Sequence, residues 1–328
     1  MATINIKKSD SIQTIKSALM KTGNTIIFEK ATYKVTETLY FNSNNIIKGN
    51  GATLQMAAPI HNILMSYTTP NSTKYNGVHD VQILDLNVEQ MYSKYGACKC
   101  NGITLWHCNR ITIDGGNILD TIYFHGIEEN SSTNITIKNV KFSGYVSDLK
   151  NNFREASQID FASEGSIFIH PSGSKCYDLT PCKNIMYINC EFGKSNSRTS
   201  PSFCIGTHSQ PVGLKHEDIT IKDCKFYGDK SNKNGCAIHL TAMNNVTIEN
   251  CYSEDYARFV LIDNKTYSYD KKGNKVTAKD TDGLCENVVV RNNTIKPLDT
   301  FKVVDVFVAS KTKWVHKNII NEGNTIIE

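Results

Sequence analysis

A short alternation of apolar and polar residues recurs along the chain. It reads DITIKDCKF at 218–226, and similar phrases are NITIKNVKF at 134–142, NIMYINCEF at 184–192 and NVTIENCYS at 245–253. Further copies start at 80 and 287, with a variant at 110. The β-branched residues at alternate positions favour short strands. The intervals between copies are irregular, which fits a superhelix of strands whose turns can each carry a loop at a corner.

A polar residue stands at the same place in each phrase, five positions after its start. The set is Asp85, Asn139, Asn189, Asp223, Asn250 and Asn292. Because Asn and Asp tolerate a left-handed backbone and bond to neighbouring main chain, stacked copies predict a ladder along one corner.

Small apolar residues and aromatic rings follow each polar corner. They are Leu86, Val140, Cys190, Cys224 and Cys251, and then Val88, Phe142, Phe192 and Phe226. If turns stack about 4.8 Å apart, these residues form interior columns. Three equivalent cysteines on successive turns therefore predict a packing role instead of a catalytic one.

A second series of segments has the same alternation. It comprises 102–106, 121–126, 157–162, 203–208, 236–241, 259–263 and 303–308. With about three short strands per turn, the pattern predicts an all-β, single-stranded, right-handed parallel β-helix that forms one domain over 1–328.

The ends and the longest connections complete this domain. Residues 1–23 predict an N-terminal strand and a capping helix that has Ile12, Ile15 and Leu19 on one face and stops at Gly23. No similar cap is visible at the C-terminus, so a partner subunit, further chain or its own side chains would cover that end, and a homotrimer is compatible with this. Insertions at 143–183 and 264–286 are expected to shape site walls or subunit contacts.

Composition narrows the function classes. The 328 residues carry a net charge of +4 with lysines spread along the chain, which argues against a nucleic-acid-binding stripe. Neither a signal-peptide h-region nor a run of 18 apolar residues occurs, so we expect no membrane insertion. The location stays open, and a virion-associated or extracellular protein is compatible.

Eleven cysteines without a signal peptide favour reduced thiols. Two groups invite a metal or disulfide interpretation, Cys98 and Cys100 with Cys108, and Cys176 with Cys182. Neither spacing matches a zinc pattern, so no metal is expected.

The phrases resemble those of the pectin-lyase-like superfamily over nearly the whole chain, and the opening ones resemble phage and prophage tail-spike proteins that degrade surface polysaccharide. More narrowly, FCIGTHS, HEDITIKDCKFYG and GCAIHLTAMNNVTIENC are similar to polygalacturonase-type glycoside hydrolases. Where that family has N-T-D and D-D motifs this chain has EASQIDFASE, and where it has R-I-K this chain has Ala237-Ile238-His239. The resemblance implies a β-helix and a polysaccharide substrate, but no particular catalytic residue.

Outward positions of the second series predict a carbohydrate groove. Carboxylates, imidazoles and aromatic rings suit a sugar polymer, because rings stack on its apolar faces and polar groups meet its hydroxyls. The alternative is that these polar residues are merely solvated. The predicted catalytic residues are Asp160, Glu155, His208 and His239, and the predicted substrate-binding residues are Gln158, His125, Tyr123, Trp106, Arg258, Asp263 and Lys215.

Hydrolysis of a glycosidic bond needs two carboxyl groups about 5–9.5 Å apart. Asp160 with Glu155 is the favoured pair, although Glu155 could instead pair with Arg154. Glu128, Glu129 and Glu164 are the other acids near Asp160.

Elimination on a uronate would instead use His208 or His239 as base and Arg258 or Lys215 as the neutralising cation, with Ca²⁺ as an alternative to them. No other cofactor is expected. We expect a hydrolase ahead of a lyase; an epimerase shares the lyase's first step, and a non-catalytic adhesin or receptor-binding protein is the competing class.

Overall fold

A computed structural model describes residues 2–69, 71–96, 98–146, 155–162, 178–298, 302–308 and 315–327. Arg154, Glu164 and Cys176 lie outside the described residues, as does most of the predicted insertion 143–183.

The chain consists almost entirely of short strands. In the N-terminal half the elements are β1 (Ala2–Ile6), α1 (Ile12–Met20), β2 (Asn24–Phe28), β3 (Thr32–Val35), β4 (Leu39–Phe41), β5 (Ile46–Met56), β6 (Asn62–Ser66), β7 (His79–Glu89), α2 (Tyr92–Tyr95), β8 (Asn101–Trp106), β9 (Asn109–Asp114), β10 (Asn117–Ile122), β11 (Ile127–Asn130), β12 (Thr133–Lys138), β13 (Lys141–Val146) and β14 (Glu155–Asp160). In the C-terminal half they are β15 (Lys183–Ile188), β16 (Glu191–Gly193), β17 (Phe203–Gly206), β18 (His216–Lys222), β19 (Lys225–Tyr227), β20 (Cys236–Leu240), β21 (Met243–Glu249), β22 (Tyr252–Glu254), β23 (Arg258–Ile262), β24 (Tyr267–Tyr269), β25 (Lys275–Thr277), β26 (Glu286–Arg291), β27 (Thr294–Lys296), β28 (Lys302–Val306), β29 (Lys317–Glu322) and β30 (Thr325–Ile326).

Three parallel ladders form the faces of the molecule. One runs from β1 and β2 through β5, β7, β9, β12, β15, β18, β21 and β26 to β29, and a second continues from the far halves of β5 and β7 through β10, β13, β16, β19, β22 and β27 to β30. The third, here called the nine-stranded ladder, has the order β4-β6-β8-β11-β14-β17-β20-β23-β28. This is the predicted right-handed parallel β-helix.

The predicted interior columns are present. The rings of Phe142 and Phe192 stack with centroids 4.4 Å apart, and those of Phe192 and Phe226 stack at 5.3 Å. Cys190, Cys224 and Cys251 lie in the same core, and every described cysteine is a free thiol. The packing role predicted for the three cysteines is therefore confirmed.

The predicted polar corner is also present. All six residues of that set have left-handed φ angles, between 48° and 58°. In part of the corner the side chains bond from turn to turn, as where Asn189 Nδ2 donates to Asn139 Oδ1 at 2.8 Å and Asn139 Nδ2 donates to Asp114 Oδ1 at 2.7 Å.

The N-terminal helix caps the core as expected. The Ser11 side chain accepts a hydrogen bond from the amide of Thr14, which is an N-cap contact, and Ile15 and Leu19 are buried against the core. Around the last described turns, large apolar side chains such as Phe307 and Val315 are exposed. The predicted covering of this end, by a partner subunit, further chain or its own side chains, stays a prediction.

One predicted strand is misplaced. Six of the seven segments in the second series overlap a strand of the nine-stranded ladder, but 121–126 does not. Thr121 and Ile122 end β10, and Tyr123 has a left-handed φ of 55° that breaks the strand. The strand that belongs to the ladder in this turn is β11, which carries Glu128 and Glu129.

Glu129 is a carboxyl group inside the core. It lies in register with Leu105 and Ile159 and is fully buried. The Tyr187 hydroxyl donates to Glu129 Oε1 at 2.8 Å. Burial raises the pKa of Glu129 to about 8, so the group is protonated at neutral pH.

This buried acid predicts a pH dependence of stability. An acid that keeps its proton only in the folded state destabilises the fold as pH rises from its ordinary pKa of 4.5 to about 8, by about 1.4 kcal/mol per pH unit. We expect Glu129→Gln to lose less stability than wild type over this interval and to run parallel above it. Denaturant unfolding at pH 5, 7 and 9 measures the difference; curves parallel throughout would contradict the buried acid.

Candidate active site

The candidate site lies on five consecutive strands of the nine-stranded ladder, β11, β14, β17, β20 and β23. Glu128, Gln158, Gly206 and His239 occupy one register position across the first four strands. Gly206 leaves room for this arrangement, because a Cβ atom there would lie 1.9 Å from the carbonyl oxygen of His239.

Glu155 is the centre of the cluster and is fully buried. His208 Nδ1 donates to its Oε2 at 2.9 Å, and His239 Nδ1 donates to its Oε1 at 3.2 Å. Burial alone would raise the pKa of Glu155, but the charges and hydrogen bonds of the two imidazoles outweigh it and hold the pKa well below its usual range. Both oxygens of Glu155 are thus occupied and shielded from solvent, unlike the open position expected of the second catalytic carboxylate that we predicted.

His239 links Glu155 to a second carboxylate. Its Nε2 donates to Asp263 Oδ1 at 2.9 Å, and the Thr241 hydroxyl donates to the same oxygen. Burial would lower the pKa of His239, but Asp263 and Glu155 raise it to about 9. The pKa of Asp263, which burial would raise, is lowered by His239 to about 2. A doubly protonated imidazole thus lies between two carboxylates.

Asp160 lies at the partly exposed side of the cluster. Gln158 Nε2 donates to its Oδ2 at 3.0 Å and lies 3.2 Å from His208 Nδ1. Three contacts in series therefore link Asp160 to Glu155, through Gln158 and His208. They hold the nearest carboxylate oxygens of Asp160 and Glu155 within about 9 Å of each other, which is inside the outer limit for a glycosidase pair. Burial raises the pKa of Asp160, although His208 opposes the shift.

Glu128 is the neighbouring acid that the misplaced strand had obscured. It is 5% exposed, and Asn101 Nδ2 donates to its Oε2. Burial, reinforced by the negative charge of Asp160, raises the pKa of Glu128 to about 8. Glu128 is in register with Gln158, two residues before Asp160, so it is a diagonal neighbour of Asp160 across adjacent strands.

A buried amide without a partner lies at the same place. Asn130 is in register with Asp160, and neither its Oδ1 nor its Nδ2 has a hydrogen-bond partner among the described residues. Buried amides are nearly always hydrogen-bonded in folded proteins. This one lies beside Glu128, and its amide lowers the pKa of that acid against the effect of burial.

Of the predicted aromatic residues, one reaches the cluster and two do not. His125 reaches the cluster: its ring stacks on that of His208 with centroids 6.2 Å apart, and its Nδ1 bonds to the carbonyl oxygen of Glu155. Trp106 is 3% exposed and packs against Met65 and Ala162, so it offers no open stacking face. Tyr123 bridges to Cys100 and packs against the core.

The two predicted cations are engaged elsewhere. Arg258 Nε donates to Asp305 Oδ2 at 2.8 Å, and Lys215 Nζ lies 2.9 Å from Glu286 Oε1. The basic residue that does lie beside the cluster is Lys265, whose Nζ donates to the carbonyl oxygen of His208. No pattern in the sequence pointed to Lys265, because its position depends on how the insertion folds.

The insertion 264–286 forms a wall beside the site. It contains the antiparallel hairpin β24–β25, and Gln210 joins it to the loop that carries His208 by donating to Lys265 O and Ser268 Oγ, both at 3.1 Å. The insertion thus lies beside the loop of His208, and its role in shaping the site stays a prediction. Among the described residues, no group of three or more His, Cys, Asp or Glu side chains has metal-site geometry. The described part of the chain also has no helix long and apolar enough to cross a membrane.

Solved structures with the same fold include proteins of several activities. A Streptococcus pneumoniae surface protein and adhesin, PfbA, is 17% identical with a TM-score of 0.66, over 94% of this chain and 82% of its own. The chain shares the parallel β-helix fold of these structures. An alginate lyase from Paenibacillus sp. is 13% identical with a TM-score of 0.60 over 99% of both chains. A Yersinia enterocolitica family 28 exopolygalacturonase is 12% identical with a TM-score of 0.64, over 99% of this chain and 65% of its own.

Neither a protein-family model nor a curated protein sequence matches the chain. The roles of the site residues therefore have to be argued from their own geometry.

The His239 bridge predicts a measurable shift. Removing one flanking charge by Asp263→Asn should lower the pKa of His239 by about one to three units, because an opposite charge at contact distance favours the imidazolium. NMR titration of the His239 ring measures it. Asp305→Asn, which removes a carboxylate bonded to Arg258, is the matched control and should leave that pKa unchanged; a normal pKa in wild type would refute the bridge.

Proposed function

We propose that the protein hydrolyses a polysaccharide bound along the nine-stranded ladder, with Glu128 as general acid and Asp160 as general base. The observation that carries this proposal is the diagonal placement of these two carboxyl groups on adjacent strands. Strands lie about 4.8 Å apart and two residues along a strand span about 6.6 Å, so these diagonal neighbours are about 8 Å apart along the sheet, which allows their carboxyl groups the separation used by glycosidases that invert configuration.

The environments of the two acids suit different roles. Glu128, with its pKa raised to about 8, keeps its proton at neutral pH and can give it to the departing glycosidic oxygen. Asp160 is more exposed, and its pKa is raised by burial against the opposing effect of His208. As a carboxylate it can accept a proton from a water molecule that attacks the anomeric carbon.

The buried residues support this pair. Glu155 and His239 fix the ring of His208, and Gln158 lies between that ring and Asp160. The amide of Asn130 lies opposite Asp160 and can bind a sugar hydroxyl without giving up an existing bond. A ligand at this point would satisfy the one polar side chain there that the fold leaves unpartnered.

The neighbours in fold support the substrate class. Their titles name an alginate lyase and an exopolygalacturonase, and a further one is the tailspike of E. coli bacteriophage HK620, a mutant of which was solved in complex with a pentasaccharide (11% identity, TM-score 0.61, 96% of this chain and 52% of its own). One neighbour is an adhesin, so a protein that binds a polysaccharide without cleaving it is the competing class.

Elimination is the second candidate, and one observation favours it. Glu155 orients His208 through Nδ1, as a carboxylate does for a catalytic imidazole, and Lys265 supplies a cation beside it. A lyase would use His208 as base and would not need Glu128.

The first prediction separates these mechanisms. Glu128→Gln and Asp160→Asn should each lower kcat by about 10²–10⁴-fold without lowering thermal stability, because each removes a proton-transfer group. Glu191→Gln, an exposed carboxylate on another ladder, is the control. Reducing ends released from a panel of acidic and neutral polysaccharides measure cleavage, and ultraviolet absorbance detects unsaturated uronates. Absorbance that survives Glu128→Gln would establish elimination; binding without either signal would establish the adhesin.

The same assignment sets the pH profile. Because Glu128 must be protonated, kcat/KM should fall as pH rises through about 8. NMR of the newly released reducing end should show inverted anomeric configuration. A profile flat from pH 7 to 9, or retention, would rule out this pair in these roles.

A third prediction concerns Asn130. Replacing it by alanine removes no hydrogen bond of the described structure, so the melting temperature should stay the same or rise. We expect kcat/KM to fall about tenfold, since one bond to substrate is lost. A lower melting temperature with normal kinetics would show that Asn130 is structural.

A further inference from the structure

A second concave surface lies on the N-terminal side of the site. This basic cleft has a volume of about 590 Å³ and is lined by Pro59, His61, Lys94, Tyr95, Cys98 and Lys99. His61 immediately precedes β6, and Lys99 lies two residues before β8, so the cleft adjoins the nine-stranded ladder that carries the candidate active site.

The cleft is positively charged and lacks counter-charges. Lys94 and Lys99 are exposed, and neither forms an ion pair with a described residue. No acidic side chain is among its described lining residues. Lysines elsewhere on the surface, such as Lys141 and Lys183, have carboxylate partners within 4 Å. The two cleft lysines are therefore free to bind an anionic ligand.

The walls of the cleft are held together. His61 Nδ1 lies 3.1 Å from the carbonyl oxygen of Lys99, and the thiol of Cys98 donates to the carbonyl oxygen of Ile60 at 3.4 Å. The Lys94 ammonium lies 5.2 Å from the centroid of the Tyr95 ring. A tyrosine ring with the Lys94 ammonium beside it, and the Lys99 ammonium in the same cleft, suit a sugar that carries a negative charge, because the sugar ring can stack while its anion is neutralised.

A continuous row of side chains joins the cleft to the site. Lys99 Nζ lies 5.6 Å from the Phe124 ring, Phe124 stacks on His125 at 6.2 Å, and His125 stacks on His208 at 6.2 Å. From β14 to β6 is three strand spacings, which is about 14 Å. One oligosaccharide chain lying across the strands would reach both places.

We propose that the basic cleft is a distal subsite that binds a carboxylate or sulfate group of the polysaccharide whose other end occupies the candidate active site. The nature of the ligand rests on the proposed function, but binding in the cleft does not require that the bound chain be cleaved.

The test is calorimetric binding of hexasaccharides to the full chain at low temperature. The probes are galacturonate and mannuronate oligomers with their methyl esters, and a chondroitin sulfate oligomer with its desulfated form. The variant Lys94→Gln/Lys99→Gln is compared with Lys222→Gln/Lys225→Gln, which removes two charges from the other two ladders.

We expect a charged oligomer to bind wild type more tightly than its neutral counterpart, with a preference that fades as salt rises. The cleft variant should bind that oligomer about tenfold more weakly and the control should not. The uronate and sulfate probes identify which anion is bound. If the oligomer that binds at low temperature is not cleaved at the temperature of the activity assay, the cleft stands and the hydrolase assignment fails. The subsite is refuted if wild type prefers no charged probe, or if the cleft variant binds it as tightly as the control does.

Discussion

Parallel stacking at one strand spacing governs everything else in this molecule. Each residue lies about 4.8 Å from its equivalents in the turns before and after it, so any side chain that recurs at one position forms a column. Inside, this gives the stacked rings of Phe142, Phe192 and Phe226, and at one corner it gives the asparagine ladder. On the nine-stranded ladder the same spacing brings Glu155 to His239, which follows it by 84 residues.

Stacking charged groups this closely requires that their signs alternate. Glu155, His239 and Asp263 satisfy the requirement, since each carboxylate faces an imidazole and each imidazole nitrogen faces a carboxylate. A buried charge without a partner would cost several kcal/mol, and a buried pair is tolerated only when its hydrogen bonds are complete. Glu128 and Glu129 have no cation beside them and meet the same constraint differently, by keeping their protons. The electrostatic design of the site therefore follows from the fold.

The periodic parts of the structure were predictable from the sequence, and the exceptions to the period were not. Repeated phrases located the core columns, the corner and six strands of the nine-stranded ladder. Strand β11 was missed because the preceding segment 121–126, TIYFHG, alternates like a strand although the backbone turns at Tyr123. Arg258 and Lys215 were assigned to the groove because their partners, Asp305 and Glu286, come from distant segments. Glu155 was assigned to the site, and the structure bonds it to His208 and His239, contacts that no local pattern reveals.

The chemistry of the site turns on which groups the stacking leaves open. A carboxylate that is bonded by two imidazoles, as Glu155 is, has no oxygen left for a sugar, whereas Asp160 and Glu128 lie one strand apart with Asn130 unpartnered beside them. The regular ladder supplies these acids and the imidazoles. The irregular segments supply the cations, because Lys265 comes from the long insertion and Lys94 and Lys99 come from the connection before β8. The repeating face is rigid and fixes the positions of the acids and imidazoles, whereas the loops can vary and add charge around them. This division explains how one fold can accommodate different polysaccharides.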